Sequence, residues 1–268
     1  MQLPIKPGAV FRVVKEFRND DDRPILVAGI LADELARELT AGGDPTAVRR
    51  GGTPQDVEAL VYIVGDALTE QAARVLKSAR RVRVPIILLA AGRQPLGDIP
   101  YVLATDIVRV EPGHGFPIDK LGEALAGRLG EKATSLARRL PVLRGPIVEK
   151  LVESFSRKNG ILGAAIFIPG ADFPVLTLNQ LRMVLRICAA HGLTVDRERA
   201  PEIVATVAAG LGFRTLARSL LGVVPFGGWA VKGAVAYTGT RAVGEASVRY
   251  CEVRALTPPR AAASPSSS

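Results

Sequence analysis

Short runs of uninterrupted apolar residues alternate, in the first half of the chain, with longer stretches where apolar side chains return every three or four positions. Residues 25–29 (Ile-Leu-Val-Ala-Gly) follow the polar stretch Asp20-Asp21-Asp22-Arg23-Pro24 and predict a buried strand. Leu31, Leu35 and Leu39, with Ala32 and Ala36, then recur at helical spacing until Gly42-Gly43 stops the helix. Residues 59–64 form a second apolar run. A helix over 69–81 presents Ala72, Val75, Leu76 and Ala79 on one face, and residues 84–90 form a third strand. Residues 107–110 predict a last strand and 118–129 a closing helix. Strands that are apolar throughout, alternating with amphipathic helices, indicate an α/β domain built on a parallel sheet covered on both faces.

Beyond residue 130 the period stays helical. Ala133, Leu136, Ala137 and Leu140, then Ile147, Val148, Leu151, Val152 and Phe155, predict two amphipathic helices broken at Pro141 and Gly145-Pro146. Residues 160–171 are uncharged and apolar. Thr177 and Gln180 have the spacing of a capping box for a helix whose one face carries Leu178, Leu181, Leu185 and Cys188, ending at His191-Gly192. A further helix is predicted over 202–221, and an apolar turn over 223–229 leads into a long helix over 230–252. In that last helix Ala230, Ala234, Thr238, Ala242 and Ala246 recur every four residues, a spacing that lets another helix approach closely. Ala230, Ala234, Thr238 and Ala242, with Phe226 and Trp229 at the turn, are therefore the expected docking residues for a partner or lipid. On an adjacent face Arg241 and Glu245 are four apart and can pair. Asp172 is expected to cap a turn or to pair with Arg182, Arg186 or Arg214, making a structural polar network of Asp172, Arg182, Arg186, Arg241 and Glu245. The organisation read from this pattern is an N-terminal segment 1–22, an α/β domain 23–130, a helical connector 131–158, an all-α domain 159–254 and a disordered tail 255–268.

Composition changes the picture in two ways. With 48% hydrophobic residues, 23% charged and a mean hydropathy of +0.22, the 268-residue chain folds or enters a bilayer, and its length favours two domains. The net charge of +9 is unevenly spread: residues 1–127 hold 16 basic and 17 acidic side chains, whereas residues 128–158 hold eight basic against three acidic. Basic residues beside apolar segments suit an anionic membrane surface, and they suit a solvated helix face equally well. Aromatics make up 5% of the chain and do not interleave with the basic stretch, so nucleic acid is not expected as a partner. The uncharged stretches 159–171 and 219–231 are each 13 residues, short of a spanning helix. That leaves three readings: a soluble helical bundle, membrane-surface attachment and a true span. The N-terminus carries no apolar leader, and two cysteines, Cys188 and Cys251, point to a reducing compartment.

Candidate chemistry is sparse. In a parallel sheet a ligand binds beyond the carboxyl ends of the strands. After the first strand Gly29 fits a phosphate-binding loop, but Glu34, Leu35 and Ala36 stand where Gly, Lys and Ser/Thr are required, and Asp33 and Glu34 repel phosphate. No nucleophile motif accompanies His114 or His191, and the histidines and cysteines lack metal-ligand spacing. His114, in Gly113-His114-Gly115, is expected to be a turn residue. No catalytic residue, metal or cofactor is expected.

Two resemblances follow. The order Val61 to Val64, a helix, Pro85 to Leu89, then Ile107 to Gly115 and Ile118 to Leu121 resembles the second half of Era-like and translation-factor GTPase domains over about residues 57–128. Ala91-Gly92-Arg93-Gln94 stands where the guanine-reading Asn-Lys-x-Asp motif belongs, so the resemblance implies a pseudo-GTPase; an unrelated Rossmann-like domain has the same pattern. Residues 168–183, 209–218 and 225–246 resemble the bacterial domain of unknown function 697, the YcjF-type family, over about residues 159–252. That resemblance implies a neighbouring GTPase domain and, for some members, the inner membrane, and it implies no reaction. The expectation is a non-catalytic adaptor or regulatory protein, cytoplasmic and peripheral at or inserted in the inner membrane, docking a protein partner, a second copy or an anionic membrane. The alternatives are a divergent GTPase or nucleotide-binding protein, and nucleic-acid binding through the basic connector.

Overall fold

The computed structural model describes residues 22–93, 99–165, 173–193 and 229–256. Its first part runs β1 (Ile25–Gly29), α1 (Ala32–Leu39), β2 (Val48–Arg50), β3 (Leu60–Val64), α2 (Glu70–Arg81), β4 (Ile86–Ala90), β5 (Ile107–Arg109) and α3 (Ile118–Leu129). The five strands pair in the order β2-β1-β3-β4-β5, all parallel, the 2-1-3-4-5 order of one class of doubly wound sheets. Strand side chains alternate between faces, which explains why the runs are apolar throughout. Ile25, Val27, Val61, Ile63, Ile87 and Leu89 join the core on one face, while Leu26, Leu60, Tyr62 and Leu88 pack with Ala72, Leu76 and Ala79 of α2 on the other. This is the α/β domain that the periodicity predicts. The sequence reading contains no counterpart of β2: Val48-Arg49-Arg50 has a single apolar residue, and it forms an edge strand because pairing with β1 orders its backbone.

The helical part comprises α4 (Ala133–Arg139), α5 (Arg144–Ala165), α6 (Phe173–Ala190) and α7 (Trp229–Leu256). The break at Pro141 is present, but Gly145-Pro146 lies in the first turn of α5 rather than ending a helix, since a proline there gives up an N–H that has no intrahelical partner. From there α5 is continuous for 22 residues, so the expected division at 158/159 falls inside one helix. The helix expected to start at the Thr177 capping box begins four residues earlier, and Thr177 lies in the interior of α6. The expected helix over 202–221, the apolar turn before Trp229, Asp172, Arg214 and Phe226 lie outside the described residues, as do 1–21 and 257–268.

Helix α5 runs antiparallel to α7, and glycines set their separation. A Cβ on Gly163 would stand 2.7 Å from Ala236 Cβ, one on Gly233 2.9 Å from the Gly160 carbonyl oxygen, and one on Gly244 2.6 Å from Val152 Cγ1. Backbones this close leave no room for side chains, so glycine is required by space. Helix α6 lies parallel to α7 and is tied to it at two levels. In the middle, Asn159, fully buried on α5, donates to Thr240 Oγ1 (2.9 Å) and accepts from Asn179 Nδ2 (2.9 Å), while Gln180 donates to the same Thr240 oxygen (3.2 Å). Further along, Cys188 Sγ and Cys251 Sγ lie 3.0 Å apart, both fully buried and both free. One apolar cluster extends from Ile25 and Val61 in the sheet through Leu125, Leu140 and Leu151 to Met183 and Cys251, so sheet and bundle share a core. Among the described residues no helix is long and apolar enough to cross a membrane.

Candidate functional site

The crevice beyond the carboxyl ends of β1 and β3, where strand order reverses, is the position at which a doubly wound sheet binds its ligand. Gly29 ends β1 at φ 101°, a left-handed conformation, and a side chain there would collide with the Ile63 carbonyl. Ile30 donates its N–H to that carbonyl (3.1 Å), and Leu31, also left-handed, starts α1. The first turn of α1 carries Asp33 and Glu34, that of α2 carries Glu70, and that of α3 carries Asp119. These carboxylates occupy the positive end of each helix dipole, the place an incoming phosphate would need. Asp33 is met by Arg50 at 3.4 Å, and Asp66 accepts the Arg93 N–H at 2.7 Å, closing the loops after β3 and β4 on each other. Gly92 is required there, because a Cβ would lie 2.7 Å from Asp66 Cα. Beside these charges the crevice exposes two apolar side chains, Ile30 and Leu31, each about half exposed.

Seven of the eight basic residues of the stretch 128–158 are bound within the molecule. Arg128 holds Asp106 through two hydrogen bonds, one of 2.6 Å. Arg138 binds Asp22 (2.6 Å), and Arg139 binds Asp44 (2.8 Å) and the Asp22 carbonyl (2.5 Å). Arg144 donates to the Ala190 and Ala137 carbonyls at 3.0 and 3.3 Å, which places a guanidinium at the negative ends of α6 and α4. Lys150 and Arg157 share Glu153, and Lys158 meets Glu131 at 3.7 Å. The Asp44 carboxyl is lowered to about 2 by hydrogen bonds from Thr46 and Arg139. Burial would raise the Asp22 carboxyl, but hydrogen bonds from Ser135 and Arg138 bring it below its ordinary value. These partners lie 95 and 116 positions apart, and no local motif announces them.

Of the expected docking residues, Ala230, Ala234, Thr238 and Ala242 form the exposed side of α7, and Trp229 opens that helix. The small residues that meet α5 are instead Gly233, Ala236 and Gly244. Of the expected polar network, Arg241 donates to Glu245 at 3.0 Å, and Arg186 pairs with Glu131 at 3.4 Å; Arg182 is half-buried on α6. Arg241 and Glu245 line a groove of about 880 Å³ between α5, the end of α6 and α7, together with Arg144, His191 and Arg249. His114 is exposed in a turn between two left-handed glycines. The network of Asn159, Asn179, Gln180 and Thr240 escapes sequence reasoning, because its members lie on three helices far apart in the chain.

At one end of the bundle the register brings three helices to the same level: Gly160 lies against Gly233, and Asn159 reaches the Leu176 carbonyl at 3.4 Å. Beside these contacts Ile161, Val175 and Val231 are 64%, 44% and 46% exposed. Among the described residues no group of three or more potential metal ligands occurs. No protein-family model and no curated protein matches the chain.

Proposed function

We propose that the protein is a non-catalytic adaptor or regulator, in which the α/β domain, a pseudo-GTPase, serves as a rigid base and the helical bundle docks a protein partner or an anionic membrane. The reading rests on one observation: three helices each contribute an exposed aliphatic side chain, Ile161, Val175 and Val231, to the same end of the bundle. Exposed aliphatic side chains gathered at one end of a bundle serve contact. The run 160–171, apolar and uncharged, starts at that end. Carboxylates in the first turns of α1, α2 and α3 support the lack of nucleotide chemistry. The pairing of the basic stretch with carboxylates of its own chain speaks against nucleic acid as its partner. Membership in the domain of unknown function 697 family is part of this proposal and rests on the residue blocks quoted above.

Co-sedimentation with vesicles containing anionic lipid tests the membrane arm. Wild type is expected to pellet at low salt, and Ile161→Asp with Val231→Asp to stay in solution. Calorimetric titration with GTP and GDP in Mg²⁺ tests the pseudo-GTPase arm; no saturable heat is expected, and micromolar binding would overturn it.

A further inference from the structure

A basic surface lies along the open edge of the sheet, on a different part of the molecule from the bundle's apolar end. Two adjoining hollows of about 760 and 740 Å³ share Leu103, Asp106 and Arg128 and run from the start of β4 along β5 to α3. Arg80, Arg81 and Arg83 line one end, and Arg109, Lys120 and Lys150 the other. The carboxylates along the path are Asp106, already held by Arg128, and Glu123; Lys150 is paired with Glu153, which leaves Arg80, Arg81, Arg83, Arg109 and Lys120. The channel therefore carries a surplus of positive charge.

The backbone of this edge is open as well. β5 pairs with β4 alone, and the Val110 N–H donates to the Ala90 carbonyl at 2.9 Å. Alternation along the strand then turns Ile107 and Arg109 outward. The Ile107 N–H is taken by the Ala104 carbonyl, which leaves the Ile107 carbonyl and both backbone groups of Arg109 facing the channel. Tyr101 and Leu103, 50% and 59% exposed, border it. Arg83 and Tyr101, at φ 59° and 72°, are two of the four non-glycine residues with left-handed backbones among the described residues. Strained backbone beside exposed apolar side chains is a feature of contact surfaces.

We propose that the β5 edge binds an extended acidic polypeptide segment, which adds to the sheet as a sixth strand. Its carboxylates face the arginines, and its apolar side chains contact Tyr101 and Leu103. A second copy of this edge brings the same positive charge and is repelled, so the occupant carries the opposite sign. Outward N–H and C=O groups pair with another backbone, and Tyr101 is the single aromatic residue lining the hollows; a strand therefore fits better than stacked bases.

Fluorescence anisotropy with the full chain tests this, using a dye-labelled decapeptide of alternating Val and Glu as probe. Saturable binding with a Kd of roughly 10–100 µM at low salt is expected. The same peptide methylated on alternate backbone nitrogens keeps its charge and loses strand pairing, so it is expected to bind at least about tenfold more weakly. The double variant Arg83→Glu, Arg109→Glu is expected to lose at least about tenfold in affinity, while Lys77→Glu, on the exposed side of α2, stays within about twofold. Thermal melts of the variants report that each is folded. The proposal is overturned by no saturable binding, by equal binding of the methylated peptide, by an equal loss in Lys77→Glu, or by a single-stranded 20-nucleotide DNA that binds more tightly and displaces the peptide.

Discussion

A single methyl group has opposite effects at two helical glycines. At Gly163 an added Cβ stands 2.7 Å from Ala236 Cβ, so Gly163→Ala drives α5 and α7 apart and is expected to destabilise the protein by about 1–3 kcal/mol. At Gly127, on the exposed side of α3, nothing lies within 4 Å, and Gly127→Ala is expected to stabilise by about 0.5–1 kcal/mol through helix propensity. Denaturant midpoints measured on both variants check the pair. Asn159→Ala strips Asn179 and Thr240 of a buried partner and is expected to cost about 2–3 kcal/mol. The Cys251 thiol is pushed up by its hydrogen bond with Cys188 and by burial, and both sulfurs are buried away from reagents. A thiol reagent such as Ellman's is expected to find no reactive group in the native chain and two after denaturation.

Helix α4 illustrates how an element is fixed by charges far away in the chain. Its last turn carries Arg138 and Arg139, which reach the carboxylates that precede β1 and β2, Asp22 and Asp44. The folded Asp44 carboxyl titrates at about 2, below its ordinary value of about 3.8, so the stabilisation it gives is complete above that ordinary value and is lost as pH falls through about 2. Melting temperatures measured between pH 5 and 2 are expected to fall, and Asp44→Asn is expected to flatten that fall. Element by element, sequence periodicity finds β1, α1, β3, α2, β4, β5 and α3, because both faces of the sheet are covered and amphipathic spacing marks the covering helices. It does not find β2, whose two arginines resemble a loop, and it splits α5 at residues 158 and 159, where lysine gives way to a neutral run within one continuous helix. The docking surfaces are less legible still: the alanine stripe of α7 is visible in sequence, but the placing of Ile161, Val175 and Val231 at one end of the bundle depends on three helices in register.

At the scale of the whole molecule the sheet and the bundle share one apolar core. Val61 and Ile63 in β3 belong to the same apolar cluster as Leu140, Ile147 and Met183, so a chain ending at residue 129 would keep α1 and α3 over that face of the sheet but leave the outer sides of these helices bare. Residues 22–129 produced alone are expected to lack a cooperative thermal transition, whereas the full chain shows one. The shared core also explains why a domain division drawn from composition is imprecise here: the change in composition near residue 130 marks a change of secondary structure within a continuous interior. The unbroken course of α5 has a mechanical consequence. Lys150 beside the outer strand and Ile161 at the far tip ride on the same rod, roughly 16 Å apart along its axis. A load that swings one of them tilts the other, so whatever grips the tip also sets the angle of the strut against the sheet.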